Sequence, residues 1–179
     1  MKNNFKAAIA TAIIALFSTA SYAQEKQSPV PEPLKKLYAF DGRWQGKPTM
    51  TMNGQSMTLD YMMEMKKDAQ GWGLSYHEKG IIPDAPPYIG FGAMGMDMND
   101  NSVHIYTVSN YGDVHDHKGT WTDDKTFKLQ YNGTMEGKPM VEDLWCTIID
   151  KDTWELHDKV TVGGQVFQTM DGTMHRKKK

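Results

Sequence analysis

Apolar and polar positions alternate with a period of two from Gly42 almost to the end of the chain, and turn residues break the alternation at short intervals. The run 55–66 shows it best. Met57, Leu59, Tyr61, Met63 and Met65 share one face, Thr58, Asp60, Glu64 and Lys66 the other, and Met62 alone is out of phase. Successive strand side chains point to opposite faces, so this is the pattern of half-buried strands. Ten strands are predicted, at 43–52, 55–66, 72–79, 88–98, 103–110, 114–122, 126–134, 139–150, 154–162 and 165–176. The separators Asn53-Gly54 and Gly163-Gly164 are two-residue hairpin signals, because both central positions of such turns need positive φ. The longest connection, 80–87, carries Pro83, Pro86 and Pro87 and is expected to overhang one mouth of the sheet. No gap is long enough for a crossover helix. The prediction is an all-β, up-and-down antiparallel barrel of about ten strands, since closure removes exposed edges.

Before the sheet, the pattern changes. Residues 1–23 have the layout of a secretory signal peptide: Lys2 and Lys6, an apolar run 7–17 too short to span a bilayer, and Ser21-Tyr22-Ala23 as cleavage site. Residues 24–33, with Pro29, Pro31 and Pro33, read as a linker, and 34–179 as a single barrel domain. An apolar stripe of Leu34, Leu37, Tyr38 and Phe40 predicts a short N-terminal helix that caps or plugs a barrel end. The protein is expected to be exported, to the periplasm or beyond, with no transmembrane segment.

Charge and cysteine content narrow the classes. The chain carries 20 basic and 22 acidic residues, and the two leader lysines make the remainder more acidic still, so nothing draws it to nucleic acid. Cys146 is the one cysteine, which rules out an intrachain disulfide and leaves a buried small hydrophobe. A monomer is expected.

Leu37, followed by Gly42-Arg43-Trp44-Gln45-Gly46, is similar to the Leu…Gly-x-Trp-x-Gly opening of lipocalin and related calycin barrels. Gly90-Phe91-Gly92-Ala93-Met94-Gly95-Met96-Asp97, the Gly-Thr-Trp triplet ending at Trp121 and the closing Met174-His175-Arg176-Lys177 resemble a narrower group. That group is the secreted, lipocalin-like bacterial family catalogued as a domain of unknown function, the 1579 family. The resemblance spans about 34–177 and implies a lipocalin-like barrel with Trp44 as an end plug, and no activity. The nitrobindin-like calycin barrels bind haem through a histidine, and by analogy alone haem joins the candidate cofactors.

Three sets of side chains carry candidate chemistry. His115 and His117 lie one residue apart on a strand and share a face. The simplest register through Tyr111-Gly112 sets Tyr106 opposite His117 and His104 diagonal to it, a facial trio for zinc, copper or iron; a one-residue slip would remove His104. The 14 methionines include Met94-x-Met96-x-Met98, a spacing that suits Cu(I), but long unbranched thioethers more simply line an adaptable apolar cavity. Aromatic residues complete the wall. Asp60, Glu64, Glu142 and Asp143 read as a solvated face, and no catalytic motif is present, so no enzyme activity is assigned. The resulting expectation is a barrel that binds a small apolar or amphipathic molecule through Met57, Met63, Met94, Met96, Tyr106 and Trp121, without a cofactor. The alternative is a metal- or haem-binding barrel built on His104, His115 and His117.

Overall fold

A computed structural model describes residues 29–178. The leader and the first half of the linker lie outside the described residues. Twelve strand segments follow in chain order: β1 (Gly42–Gly46), β2 (Thr49–Met52), β3 (Gln55–Thr58), β4 (Asp60–Asp68), β5 (Gly73–Ile81) and β6 (Tyr88–Asp97), then β7 (Ser102–Ser109), β8 (Val114–Trp121), β9 (Thr126–Met135), β10 (Lys138–Asp150), β11 (Thr153–Val162) and β12 (Gln165–Arg176). β1 and β2 are one long strand broken at Lys47-Pro48, and β3 and β4 another broken at Leu59. Pro48 has no N–H for the ladder, yet its carbonyl accepts from the Leu59 amide at 2.9 Å, which carries the hairpin across the break.

Every neighbouring pair is antiparallel, from β4 through β12, and β12 returns to pair with both β1 and β2. The predicted ten-stranded barrel is therefore closed, with one short helix before it. Asn53-Gly54 and Gly163-Gly164 both adopt positive φ as their turns require, and Glu136-Gly137 adds a third turn of this kind that the alternation did not mark.

The N-terminal segment fills one end. α1 (Glu32–Lys35) runs into a 3-10 turn at Lys36–Phe40, which buries Leu34, Leu37 and Phe40 inside the barrel. Phe40 meets Phe127 and Trp154 edge to face at centroid distances of 5.5 and 5.4 Å, and Trp154 meets Trp44 at 6.0 Å. Trp44 donates its indole N–H to the Phe40 carbonyl at 2.7 Å. From outside, the Arg176 guanidinium covers Trp44 at 4.1 Å and donates to the Ala39 and Asp41 carbonyls. One arginine thus ties the last strand, the first strand and the plug together. Among the described residues no helix is long and apolar enough to cross a membrane.

Candidate functional site

Packing ends partway along the barrel. Beyond Phe40 and Trp154 lies a cavity of about 660 Å³, bordered at its far side by Ile82 and Ala85 of the proline-rich connection. That connection sits where its prolines predict, over the mouth away from the plug. Nine of the 14 methionines border the cavity. Met57, Met63 and Met94 are among them; Met62, the out-of-phase residue, points outward and is 41% exposed.

Three of the expected lining residues are elsewhere. Trp121 packs edge to face on Phe127 at 5.3 Å, beneath the Lys36 ammonium, at the plugged end. Met96 also packs against the core there and does not border the cavity. Both have the inward phase but the wrong depth: alternation tells which face a residue takes, not how far along the barrel it lies. Tyr106 has neither, being 48% exposed on the outer face.

Tyr106 and His104 are outside for one reason. Observed pairing sets Tyr106 against Asp116 and Ile105 against His117, one residue away from the expected register. The turn from β7 to β8 is closed by the Ser109 amide on the Asp113 carbonyl at 3.0 Å, which leaves three residues centred on Tyr111 between that pair. Ser109 Oγ reinforces it, donating to Asp113 and accepting from the Tyr111 amide, each at 3.1 Å. The one-residue shift turns His104 to the outer face, where it contacts Asp116 and Ser102, both at 3.0 Å. The predicted trio of His104, His115 and His117 does not form.

His115 and His117 do point inward, and their companion is Glu142 from β10. His115 Nδ1 lies 2.7 Å and His117 Nε2 3.2 Å from Glu142 Oε2. These atoms are close without being aligned as donor and acceptor: Glu142 Oε2 and both His117 nitrogens are buried with no hydrogen bond. His117 is 4% exposed. Burial works against the Glu142 carboxylate, but the two imidazoles beside it prevail and hold it well below the usual range. Burial likewise opposes a charge on His115, and Glu142 more than offsets it, so His115 is raised.

Two more acids face inward. Glu78 on β5 accepts from the Tyr61 and Tyr88 hydroxyls, the latter at 2.9 Å. Burial raises its carboxyl pKa, against the pull of both phenols. Gly90 leaves the room: a Cβ there would collide with the Glu78 carboxylate and lie 2.9 Å from the Tyr88 hydroxyl. Asp158 on β11 accepts from Gln168 at 3.3 Å through one oxygen, while the other is buried without a partner. Its pKa is raised well above the usual value, by burial first and then by Glu142. Cys146 lines the same wall, its thiol pushed up by burial and by Asp158, an unreactive setting.

These acids were legible after all. Glu78 is in phase with Leu74, Tyr76 and Gly80; Glu142 with Met140, Leu144 and Cys146; Asp158 with Trp154, Leu156 and Val160. An acid on the inward phase of an apolar strand face is the signal, and it places Glu142 in the cavity wall and not on the solvated face expected of it.

No protein-family model and no curated protein sequence matches the chain. Among solved structures, the fold is similar to that of Rv2717c from M. tuberculosis, at 14% identity and a TM-score of 0.63, over 84% of this chain and 100% of that one. It is also similar to the S-type phycobiliprotein lyase CPES from Guillardia theta, at 10% identity and a TM-score of 0.56, over 81% of this chain and 92% of that one. At such identities the likeness concerns the backbone alone, and the chain is a closed, lipocalin-like antiparallel barrel of ten strands.

Proposed function

We propose that this barrel is an exported protein that holds a small amphipathic molecule in its cavity. The observation that carries the reading is the division of the cavity wall. Methionine and aliphatic side chains cover most of it, while Glu78, His115, His117, Glu142 and Asp158 supply the polar groups. A cavity of about 660 Å³ is the size of a small-molecule site, and an apolar lining with a few placed polar groups is what such sites have in common. Ligand surface withdrawn from water contributes about 25 cal/mol per Å², before the entropy of immobilisation is subtracted. Methionine suits the task because its flexible thioether adapts to an irregular partner. Export and kinship with the 1579 family belong to the same reading and rest on the leader pattern and the glycine-rich β6, and a monomeric state on a closed sheet that leaves no edge for a second copy.

Adjacent residues on opposite faces provide the test. Met63→Trp places a larger ring inside the cavity, whereas Met62→Trp places it in solvent. A fluorescent amphipathic probe such as anilinonaphthalene sulfonate should bind the native protein and Met62→Trp alike, with Met63→Trp weakened by at least roughly tenfold. Equal binding by all three proteins would place the probe on the surface and remove the cavity reading.

A further inference from the structure

We propose that His115, His117 and Glu142 form a binding site for one divalent first-row transition-metal ion, set into the cavity wall. The proposal does not depend on the cavity having an organic ligand.

The first support is convergence. One donor atom from each of the three residues lies within 4.8 Å of the other two, and among the described residues no other trio of His, Cys, Asp or Glu comes together in this way. A metal with ligands at about 2.0–2.2 Å sets them roughly 3.4 Å apart in tetrahedral geometry. His117 Nε2 and Glu142 Oε2 are already at 3.2 Å, and the 2.7 Å contact of His115 with Glu142 needs to open by about 0.7 Å, within the reach of side-chain rotation.

The second support is what these atoms lack. Buried polar atoms nearly always have a hydrogen-bond partner, and an orphan calls for a cause. Here two such orphans, His117 Nε2 and Glu142 Oε2, lie 3.2 Å apart, and the histidine is 4% exposed. Two imidazole nitrogens with a carboxylate are a familiar donor set for zinc and for iron(II), and a shared cation satisfies at once what misaligned hydrogen bonds do not.

The third is how the strands arrange it. β8 pairs with β9 and β9 with β10, so the histidines and Glu142 flank a strand whose residue opposite Glu142 is Tyr131. An upright Tyr131 side chain would stand between them. Instead its ring lies flat against His115, 4.1 Å between centroids and 17° between planes. Gly133 makes that possible, since a Cβ there would be 2.5 Å from the Tyr131 hydroxyl. Tyr131 is thus a positioning residue, and the stack sets the plane of His115. Three protein ligands leave at least one coordination position, and it opens on the cavity.

The test titrates the mature protein, stripped with chelator and dialysed, with Zn(II) by calorimetry and with Co(II) by its visible ligand-field absorption. One equivalent should bind. Glu142→Gln and His117→Gln should each weaken Zn(II) binding by roughly 100-fold or more and abolish the Co(II) bands. His104→Ala, on the outer face, and His157→Ala, which removes the exposed pair with Asp171, should change affinity less than about twofold. Circular dichroism on each variant confirms the barrel, and anilinonaphthalene sulfonate binding by the native protein without metal keeps this outcome separate from that of the cavity reading. The proposal is overturned if no stoichiometric binding is seen, if Glu142→Gln and His117→Gln bind as tightly as the native protein, or if His157→Ala loses as much as they do.

Discussion

Removing the Phe40 ring tests whether the N-terminal segment is part of the barrel's core or only rests in its mouth. Phe40 is 1% exposed and touches Phe127 and Trp154 edge to face at 5.5 and 5.4 Å. A buried phenylalanine withdraws on the order of 150–200 Å², worth about 4 kcal/mol at 25 cal/mol per Å², and alanine returns about 0.8 kcal/mol of that. The two aromatic contacts each contribute about 0.5–1.5 kcal/mol, partly counted in the area already. Phe40→Ala should therefore cost about 3–5 kcal/mol, the range known for such deletions. Phe40 also borders the cavity, so the vacated space joins a void that cannot collapse, which favours the upper half of that range. Urea unfolding followed by tryptophan fluorescence is the assay, because Trp44 and Trp154 pack in the same cluster. The thermal midpoint should fall by roughly 6–20 °C. Phe91→Ala, at a ring 52% exposed on the outer face, is the control and should cost less than about 1 kcal/mol. If Phe40→Ala costs no more than Phe91→Ala, the segment does not unfold with the barrel and the plug argument fails.

Other predictions concern the cavity wall. Tyr88→Phe takes from Glu78 a hydroxyl at 2.9 Å and should cost about 1–3 kcal/mol. Burial already raises Glu78 in the folded state, so its contribution is complete below the unfolded value of about 4.3 and is lost as pH rises through the folded value. Removing a phenol that favours the carboxylate raises the folded value further. The variant should then lose more stability at about pH 8 than at about pH 5, and an equal loss would mean that the phenol does not act on Glu78. Two glycines of β6 should behave oppositely. Gly92→Ala drives a methyl into the Tyr106 carbonyl and should cost about 1–3 kcal/mol or more, whereas a Cβ at Gly95 meets nothing nearer than 3.7 Å and should be close to neutral. Similar denaturation midpoints for the two variants would contradict the close approach of β6 and β7.

How much of the site was readable differs from residue to residue. Met57, Met63 and Met94 could be placed because alternation assigns a face and the cavity lies on that face. Met96 and Trp121 obey the same alternation and lie at the filled end, because depth along the barrel depends on where the plug stops. Glu78, Glu142 and Asp158 carried a signal in their phase, which the usual solvent preference of carboxylates obscured. His104 carried none. Its face hangs on a single residue in the loop around Tyr111, and the hydrogen bonds of Ser109 and Asp113 decide that count.

The order of apolar and polar residues by itself determined an antiparallel barrel of ten strands, its main hairpins and the common face of His115 and His117. Those are local properties, set by a two-residue period and by turns that demand positive φ. Only the tertiary structure decided that Glu142 meets those histidines, that His104 does not, and that part of the interior is open. Such outcomes depend on register between strands and on what fills the barrel, and both are settled by contacts between residues far apart in the chain.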